Sequence, residues 1–352
     1  MDAARFLRTV RSALLVALAL PGCASSWALR TAAPDVALAW PYAPAEPRIT
    51  YERSLTGVAR DTDASSVLRA IAFGGDDGER DSFLLPVAVA VGPRGRMAVA
   101  DLGRRCVHLY LPEDRRYVKL TGSEQLAMVS PVGVAFDESA RLYVSDSAGR
   151  VFAFGADGTF RFAVDKAGDR PLVRPTGLAW SPSARVLYVA DTVASQVVGF
   201  DEHGVSKLSF GGRGEAPGQL NFPTHLAWSA PGELYVTDAM NFRVQIFDES
   251  GHAVGMFGRH GDGSGDLAMP KGVAVDRRGV VYVVDGLFDN VQLFDRAGAF
   301  LLTLGGRGTG FGEFWLPSGA FVDGEDRLYV CDTYNRRIQV FRIVAGGERA
   351  HT

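Results

Sequence analysis

The hydrophobic positions of this chain recur in one pattern, six times, between residues 85 and 344. Each copy begins with a proline and a short apolar run, and a second run follows that ends in aspartate. A third and, in most copies, a fourth run come next, separated by glycine-rich turns. Short apolar runs between turn signals predict β-strands. The prolines are Pro86, Pro131, Pro175, Pro223, Pro270 and Pro317, and the aspartates are Asp101, Asp146, Asp191, Asp238, Asp285 and Asp332.

Successive aspartates are 45 or 47 residues apart. A period of about 45 residues with four strands per copy is typical of one propeller blade. The chain resembles the NHL repeat through Pro-x-Gly-Val-Ala-x-Asp at 270–276, Leu-Tyr-Val-x-Asp at 328–332 and Arg-x-Gln-x-Phe at 243–247. The resemblance implies an all-β, six-bladed β-propeller of four-stranded blades. The blades are expected to begin near residues 86, 131, 175, 223, 270 and 317.

The sixth blade contains only three strands before the tail at 345–352. Closing the ring removes unpaired strand edges, so a strand from elsewhere is expected to complete this blade. The unassigned segment 48–57 is a suitable candidate. We predict that Ile49–Ser54 pairs with Ile338–Ile343, so that the propeller spans 48–344. Residues 58–85 would bridge to the first blade, with a short helix near 65–71.

The N-terminal 22 residues combine three arginines with an apolar run from Ser12 to Leu20, which is typical of a secretory signal peptide. Leu-Pro-Gly-Cys at 20–23 resembles a bacterial lipobox, which implies that Cys23 is acylated and anchors the protein. The anchored protein would lie in the bacterial cell envelope, at the outer membrane and facing the periplasm. The alternative is cleavage and secretion. The Ala- and Pro-rich segment 23–47 is interpreted as a tether between membrane and domain.

Composition excludes several classes of protein. The chain has 37 basic and 40 acidic residues, a net charge of −3, so nucleic acid is not an expected partner. Glycine accounts for 41 of 352 residues, which agrees with many tight turns. A monomer is expected. The remaining cysteines, Cys106 and Cys331, are interpreted as buried free thiols, with a disulfide between blades 1 and 6 as the alternative.

The six repeated aspartates are expected to hold turns, because a group that occurs once per blade serves each blade. Glycine-rich links at 210–220, 257–267 and 304–314 superficially suggest phosphate loops, but no Lys-Ser/Thr follows them. Asp262-Gly-Ser-Gly-Asp266 has the alternating oxygens of a calcium loop but lacks its distal glutamate. We therefore predict no cofactor, and calcium or zinc remains a minor alternative.

The second residue after each opening proline is small in five blades and is His225 in the fourth. One histidine cannot build a three-ligand zinc site, which argues against an enzyme of the metal-dependent lyase type. The inner-strand openings and the second-to-third-strand turns should share one face. We expect that face to bind a ligand through basic and aromatic residues: His225, Lys271, Arg174, Arg213, Arg243, Phe242, Trp315, Tyr334, Asn335 and Arg336. Arg104, Arg105, Arg150 and Phe288 should lie on the same face.

These observations favour a lipid-anchored binding module whose partner is a protein, peptide or glycan of the envelope. The alternative is a metal-dependent lyase or lactonase-like hydrolase with its site at the axial channel. Other NHL proteins act in ubiquitin ligation or RNA binding, but a signal peptide would take this chain away from both.

Overall fold

The computed structural model describes residues 26–60, 81–230 and 232–344. The predicted signal peptide, Cys23, the predicted helix near 65–71 and the tail lie outside these residues. No helix in the described ranges is long and apolar enough to cross a membrane. Apart from three 3-10 turns, at Pro93–Gly95, Pro112–Asp114 and Ala239–Asn241, the regular structure is entirely β.

Six antiparallel sheets form the six blades, as predicted. Blade 1 contains β4 (Pro86–Val91), β5 (Met97–Asp101), β6 (Cys106–Leu111) and β7 (Arg116–Leu120). Blade 2 contains β8 (Pro131–Phe136), β9 (Leu142–Asp146), β10 (Arg150–Phe154) and β11 (Phe160–Val164). Blade 3 contains β14 (Pro175–Ser181), β15 (Val186–Asp191), β16 (Gln196–Phe200) and β17 (Ser206–Gly211). A hairpin of β12 (Lys166–Ala167) and β13 (Arg170–Pro171) links blades 2 and 3.

Blade 4 contains β18 (Pro223–Ser229), β19 (Glu233–Asp238), β20 (Arg243–Asp248) and β21 (Ala253–Phe257). Blade 5 contains β22 (Pro270–Val275), β23 (Val281–Asp285), β24 (Asn290–Phe294) and β25 (Phe300–Leu304). Blade 6 contains β26 (Ala320–Val322), β27 (Arg327–Asp332), β28 (Arg337–Ile343) and, from the N-terminal part, β3 (Ile49–Arg60).

The N-terminal strand closes the ring as predicted. β3 pairs antiparallel with β28, with Ile49 opposite Ile343 and Leu55 opposite Ile338. The interpretation of 23–47 as a tether is wrong for part of this segment. β1 (Trp27–Ala32) and β2 (Ala39–Trp40) both pair with the free edge of β3. An exposed edge offers unpaired backbone groups, and these two strands satisfy them although their sequence lacks the alternation of a half-buried strand.

The core lies between the blades, in six apolar clusters that each join two neighbours. The cluster between blades 6 and 1 contains Leu55, Val99 and Val340, so the closing strand contributes directly to it. The tyrosine of the Leu-Tyr-Val motif is almost fully buried in five blades, at Tyr143, Tyr188, Tyr235, Tyr282 and Tyr329. Apolar burial between blades, more than contacts within any one sheet, therefore holds the ring together.

The propeller has two faces, which we name by the direction of the inner strands. The upper face is the end at which the inner strands begin, and it carries the links between blades and the second-to-third-strand turns. The lower face is the end at which the inner strands finish. At the upper end, hydroxyl groups join neighbouring blades: Thr192 Oγ1 donates to the carbonyl of Pro223 (2.7 Å) and Thr333 Oγ1 to that of Pro86 (2.9 Å).

Candidate functional site

The six repeated aspartates fix the upper turns from within. Each carboxylate accepts hydrogen bonds from backbone N–H groups just before its blade's inner strand. Asp285 is fully buried and accepts from Ala268 (2.7 Å), Met269, Leu287 and Phe288. The upper surface is thus presented by turns whose backbone is held rigidly, which favours a preformed binding surface.

The backbone N–H groups of the glycine-rich links donate hydrogen bonds to side chains of the propeller itself. Gly218, Gly265 and Gly312 donate to the side-chain carbonyls of Gln245, Gln292 and Gln339, at 2.8–3.0 Å. These glutamines belong to the third strands of the blades that follow the links. In the calcium-like segment, Asp266 accepts from Arg259 Nε (2.6 Å) and from the Gly263 N–H. The same groups that suggested phosphate or calcium sites therefore close the links.

Ten residues were predicted to form the ligand face, and in the structure they differ in exposure. Exposed on the upper face are Arg174, Arg213, Trp315, Tyr334 and Arg336. Half-buried are His225, Lys271, Phe242 and Asn335.

Arg243 is buried, since its Nε donates to Asp238 Oδ2 at 2.8 Å, and it is not available at the surface. Asn335 Nδ2 likewise donates to the Gly308 carbonyl and to Asp332, so its amide holds a link in place. Both belong to the internal network of their blades.

Several upper-face arginines have no partner in the part of the chain that the structure describes. Their side chains form neither ion pairs nor hydrogen bonds within the described ranges; they are Arg105, Arg150, Arg174, Arg213 and Arg336. Arg104 differs, because its Nε donates to the Ser82 carbonyl at 2.6 Å. Acidic side chains also occur in the links, at Glu124, Glu215 and Asp262. Guanidinium groups without partners can still bind carboxylates in a bidentate manner.

Apolar side chains accompany these arginines. Seven of the fourteen large hydrophobic side chains exposed in the described residues lie in the upper turns, which makes this face the main exposed apolar surface. They are Val129, Val173, Val193, Met240, Leu287, Trp315 and Tyr334. Trp315 and Tyr334 contact each other, with ring centroids 5.7 Å apart. The sequence signal for this surface is positional: the seven stand two residues before an opening proline or two residues after a repeated aspartate.

His225 and Lys271 lie at the upper end of the axial channel. Burial, together with the charge of Lys271, lowers the pKa of His225 to about 4, so its ring is neutral at pH 7. Its Nδ1 is buried without a hydrogen-bond partner among the described residues. Burial also lowers the pKa of Lys271, although Asp285 and Asp289 oppose the shift.

A buried cluster in blade 1 has the composition of a catalytic triad. Cys106 Sγ lies 3.7 Å from His108 Nε2, which lies 3.4 Å from Asp101 Oδ2. His108 Nδ1 contacts the Tyr117 hydroxyl at 2.9 Å. Burial raises the pKa of Cys106 to about 12, so no thiolate forms at neutral pH. Cys106, His108 and Asp101 occupy the positions that Arg243, Gln245 and Asp238 fill in blade 4. Cys106 and Cys331 do not form a disulfide, and both are free thiols.

A cavity on the propeller axis was not predicted from the sequence. The lower axial cavity has a volume of about 460 Å³ and opens where the inner strands end. All six blades contribute to it. The last apolar residue of each opening motif forms its rim: Val91, Phe136, Trp180, Trp228, Val275 and Val322. Phe321 also lines it, at a position that is alanine in the other five blades.

One segment of the chain matches a known repeat family. The pattern of the NHL repeat matches residues 314–341, which run from the last link into blade 6. The chain contains an NHL repeat. A search of curated protein sequences found no match.

Solved structures similar to this NHL propeller include enzymes and binding proteins. Virginiamycin B lyase from Staphylococcus aureus, in a catalytically inactive form with quinupristin, has a TM-score of 0.55 and 12% identity, over 74% of this chain and 95% of its own. A gluconolactonase from Xanthomonas campestris has a TM-score of 0.56 and 18% identity, over 74% and 87%. An auxiliary nutrient binding protein from Bacteroides thetaiotaomicron has a TM-score of 0.56 and 14% identity, over 74% and 69%. These similarities establish the fold, and the fold serves both catalysis and binding.

Within the described residues, no three His, Cys, Asp or Glu side chains are grouped so as to hold a metal ion. His260, in the link before blade 5, contacts the Phe242 ring, with ring centroids 4.4 Å apart.

Proposed function

We propose that the protein is a binding module of the bacterial cell envelope whose upper face holds a protein or peptide with acidic and apolar side chains. One observation carries the proposal: exposed apolar side chains share this face with arginines that have no partner among the described residues. Arginine and aromatic residues are enriched where protein interfaces have their strongest contacts. Carboxylates of the partner would pair with Arg174, Arg213 and Arg336, and its apolar groups would cover Trp315 and Tyr334.

The proposed location and state rest on the sequence. Acylation of Cys23 would anchor the monomeric propeller in the outer membrane, facing the periplasm. The expected partner is then another envelope protein, and neither a cofactor nor a nucleic acid is required.

The binding surface can be tested with a random peptide library displayed on phage and selected against residues 24–352. We expect enrichment of peptides that combine Asp or Glu with Trp, Leu or Phe. The double variant Arg174→Glu/Arg213→Glu should bind the selected peptides at least tenfold more weakly, because charge reversal turns attraction into repulsion. Binding by the natural protein should also weaken as salt concentration rises.

Arg94→Glu/Arg161→Glu is the matched control. It changes the net charge equally, and both arginines are exposed, away from the upper face and outside the ion pairs of the described chain. Equal weakening by both double variants would show that only net charge matters. Selected peptides without acidic residues would contradict the proposed surface.

An enzymatic function at the upper end of the channel is the second candidate, and it is favoured by the neutral His225 beside Lys271. The same experiment separates the two functions. Peptides recovered unchanged in mass after long incubation agree with a binding module. Cleaved or modified peptides, lost with His225→Ala, would establish an enzyme instead.

A further inference from the structure

The lower axial cavity has the properties of a small-molecule site. Its volume of about 460 Å³ lies within the range of known ligand pockets, roughly 300–1,000 Å³. Its wall is mostly apolar, with Leu178, Leu226 and Val273 inside the rim. Such a cavity favours an apolar group, because burial removes that group from water.

Two tryptophans of the rim are held in fixed positions. Trp180 stacks on Tyr143, with ring centroids 5.8 Å apart, and Trp228 stacks on Tyr188 at 5.6 Å. Each stack joins neighbouring blades, so the rings are preorganised. The Trp180 indole N–H donates to Glu138 at 2.6 Å, whereas that of Trp228 has no acceptor in the described chain. A donor is therefore left for a ligand at one side of the rim.

A polar side groove adjoins this side of the cavity. Trp228 and Pro182 line both spaces, and the groove has a volume of about 660 Å³. Its polar wall consists of Ser183, Asp248, Glu249 and Ser250. No lysine or arginine lines it within the described ranges. Ser183 and Ser250 donate their hydroxyl protons to Glu249 and Asp248, so the groove presents mainly acceptor oxygens, which suit a group rich in hydrogen-bond donors and repel an anion.

We propose that the lower axial cavity and the side groove together bind one amphipathic small molecule, with an alkyl chain in the cavity and an uncharged, hydroxylated head in the groove. The proposal rests on two adjacent spaces that meet at Trp228 and Pro182, one of them apolar and the other lined by carboxylates and hydroxyls. It concerns the opposite face from the proposed peptide-binding surface and does not depend on it.

Alkyl glucosides test the two halves of the site separately. Binding of methyl, hexyl, heptyl and octyl glucoside to the whole protein is measured by calorimetry below the micelle concentration. Affinity should rise up to about fourfold per methylene while the chain fills the cavity. Octyl sulfate, with the same chain and an anionic head, should bind at least tenfold more weakly than octyl glucoside. Affinity independent of chain length, or equal binding of octyl sulfate, would overturn the proposal.

Variants place the ligand. Trp228→Ala should weaken octyl glucoside binding at least tenfold, whereas Tyr42→Ala, an exposed aromatic that lines neither space, should not. Glu249 lies on an exposed turn of the groove. Glu249→Lys replaces a negative charge with a positive one and should therefore reverse the head-group preference toward octyl sulfate. This second variant keeps the test decisive if Trp228→Ala fails to fold. Binding that responds to neither Trp228→Ala nor Glu249→Lys would refute the assigned site.

Discussion

The two faces of the propeller differ in how many of their arginines have partners. Upper-face arginines such as Arg174 and Arg336 are exposed and without partners in the described chain, although Arg259 and Arg307 in the links pair with Asp266 and Asp289. On the lower face, Arg94 and Arg161 are exceptions, and most arginines are paired. Arg277 pairs with Asp326 (2.7 Å) across blades 5 and 6, while others pair within a blade or bridge to its neighbour. The paired lower arginines are Arg96, Arg141, Arg185, Arg277, Arg278, Arg296 and Arg327.

This difference indicates that paired arginines contribute to stability, whereas unpaired arginines are available for recognition. A paired charge at a blade boundary helps to fix neighbouring sheets, whereas an unpaired one keeps its capacity to bind. The number of arginines on a face therefore does not indicate whether that face binds a partner. The number of arginines without an ion-pair partner does indicate it.

The largest effect is expected from the buried carboxylates below the upper turns. Asp285→Ala leaves four backbone N–H groups without their acceptor, so the free energy of unfolding should fall by about 3 kcal/mol. Hydrogen exchange should accelerate at Ala268, Met269, Leu287 and Phe288. Asp285→Asn retains one acceptor oxygen, so its free energy of unfolding should fall by less than that of Asp285→Ala. Equal acceleration at lower-face amides would contradict the separation of the two faces.

A smaller effect concerns His225 at the upper end of the channel. Its pKa is lowered to about 4 by burial and by Lys271, while the unfolded chain has an ordinary histidine pKa of about 6.5. Between these values the unfolded state binds more protons, so stability falls as pH decreases from 6.5 to 4. The expected loss is about 2 to 3 kcal/mol.

His225→Gln should remove this part of the pH dependence, as measured by urea denaturation at pH 7, 5.5 and 4. Other groups titrate in both proteins, so the difference between the two curves isolates His225. Parallel curves would show that the ring is hydrated in the folded protein.

The smallest effect directly compares arginines of the two faces. Arg296 Nε contacts Glu233 Oε2 at 2.9 Å across blades 5 and 4. Arg296→Ala should cost about 0.5–1 kcal/mol, because the pair is partly exposed. Arg174→Ala should change the free energy of unfolding by less than about 0.5 kcal/mol, since no partner is lost. A larger loss for Arg174→Ala would mean that the upper arginines also stabilise the ring.

The fold was predictable because its signal is repeated. Six copies of the same strand pattern identify the blades, and the missing strand of blade 6 leads to its partner at the N-terminus. The edge strand Trp27–Ala32 was missed because only its backbone pairing, and not an alternating pattern, places it in the sheet.

The candidate sites were predictable only in part. Arg296 and Glu233 are 63 residues apart, so pairing across blades cannot be inferred from local sequence, and neither can its absence at Arg174. The lower axial cavity could not be predicted for a similar reason. Trp180 and Trp228 lie near the ends of inner strands and resemble core residues in the sequence. Only the closure of the ring leaves space between them.

The edge strand β1 also bears on how the propeller would stand on a bilayer. Trp27 packs on Tyr117 in the outermost strand of blade 1, with ring centroids 4.9 Å apart, and its N–H donates to the Arg115 carbonyl near the lower rim. Only three residues separate Trp27 from Cys23, a span of at most about 14 Å. If Cys23 is acylated as predicted, the lower rim of blade 1 rests at headgroup depth and the upper face remains accessible. The lipid anchor would then orient the protein as well as localise it.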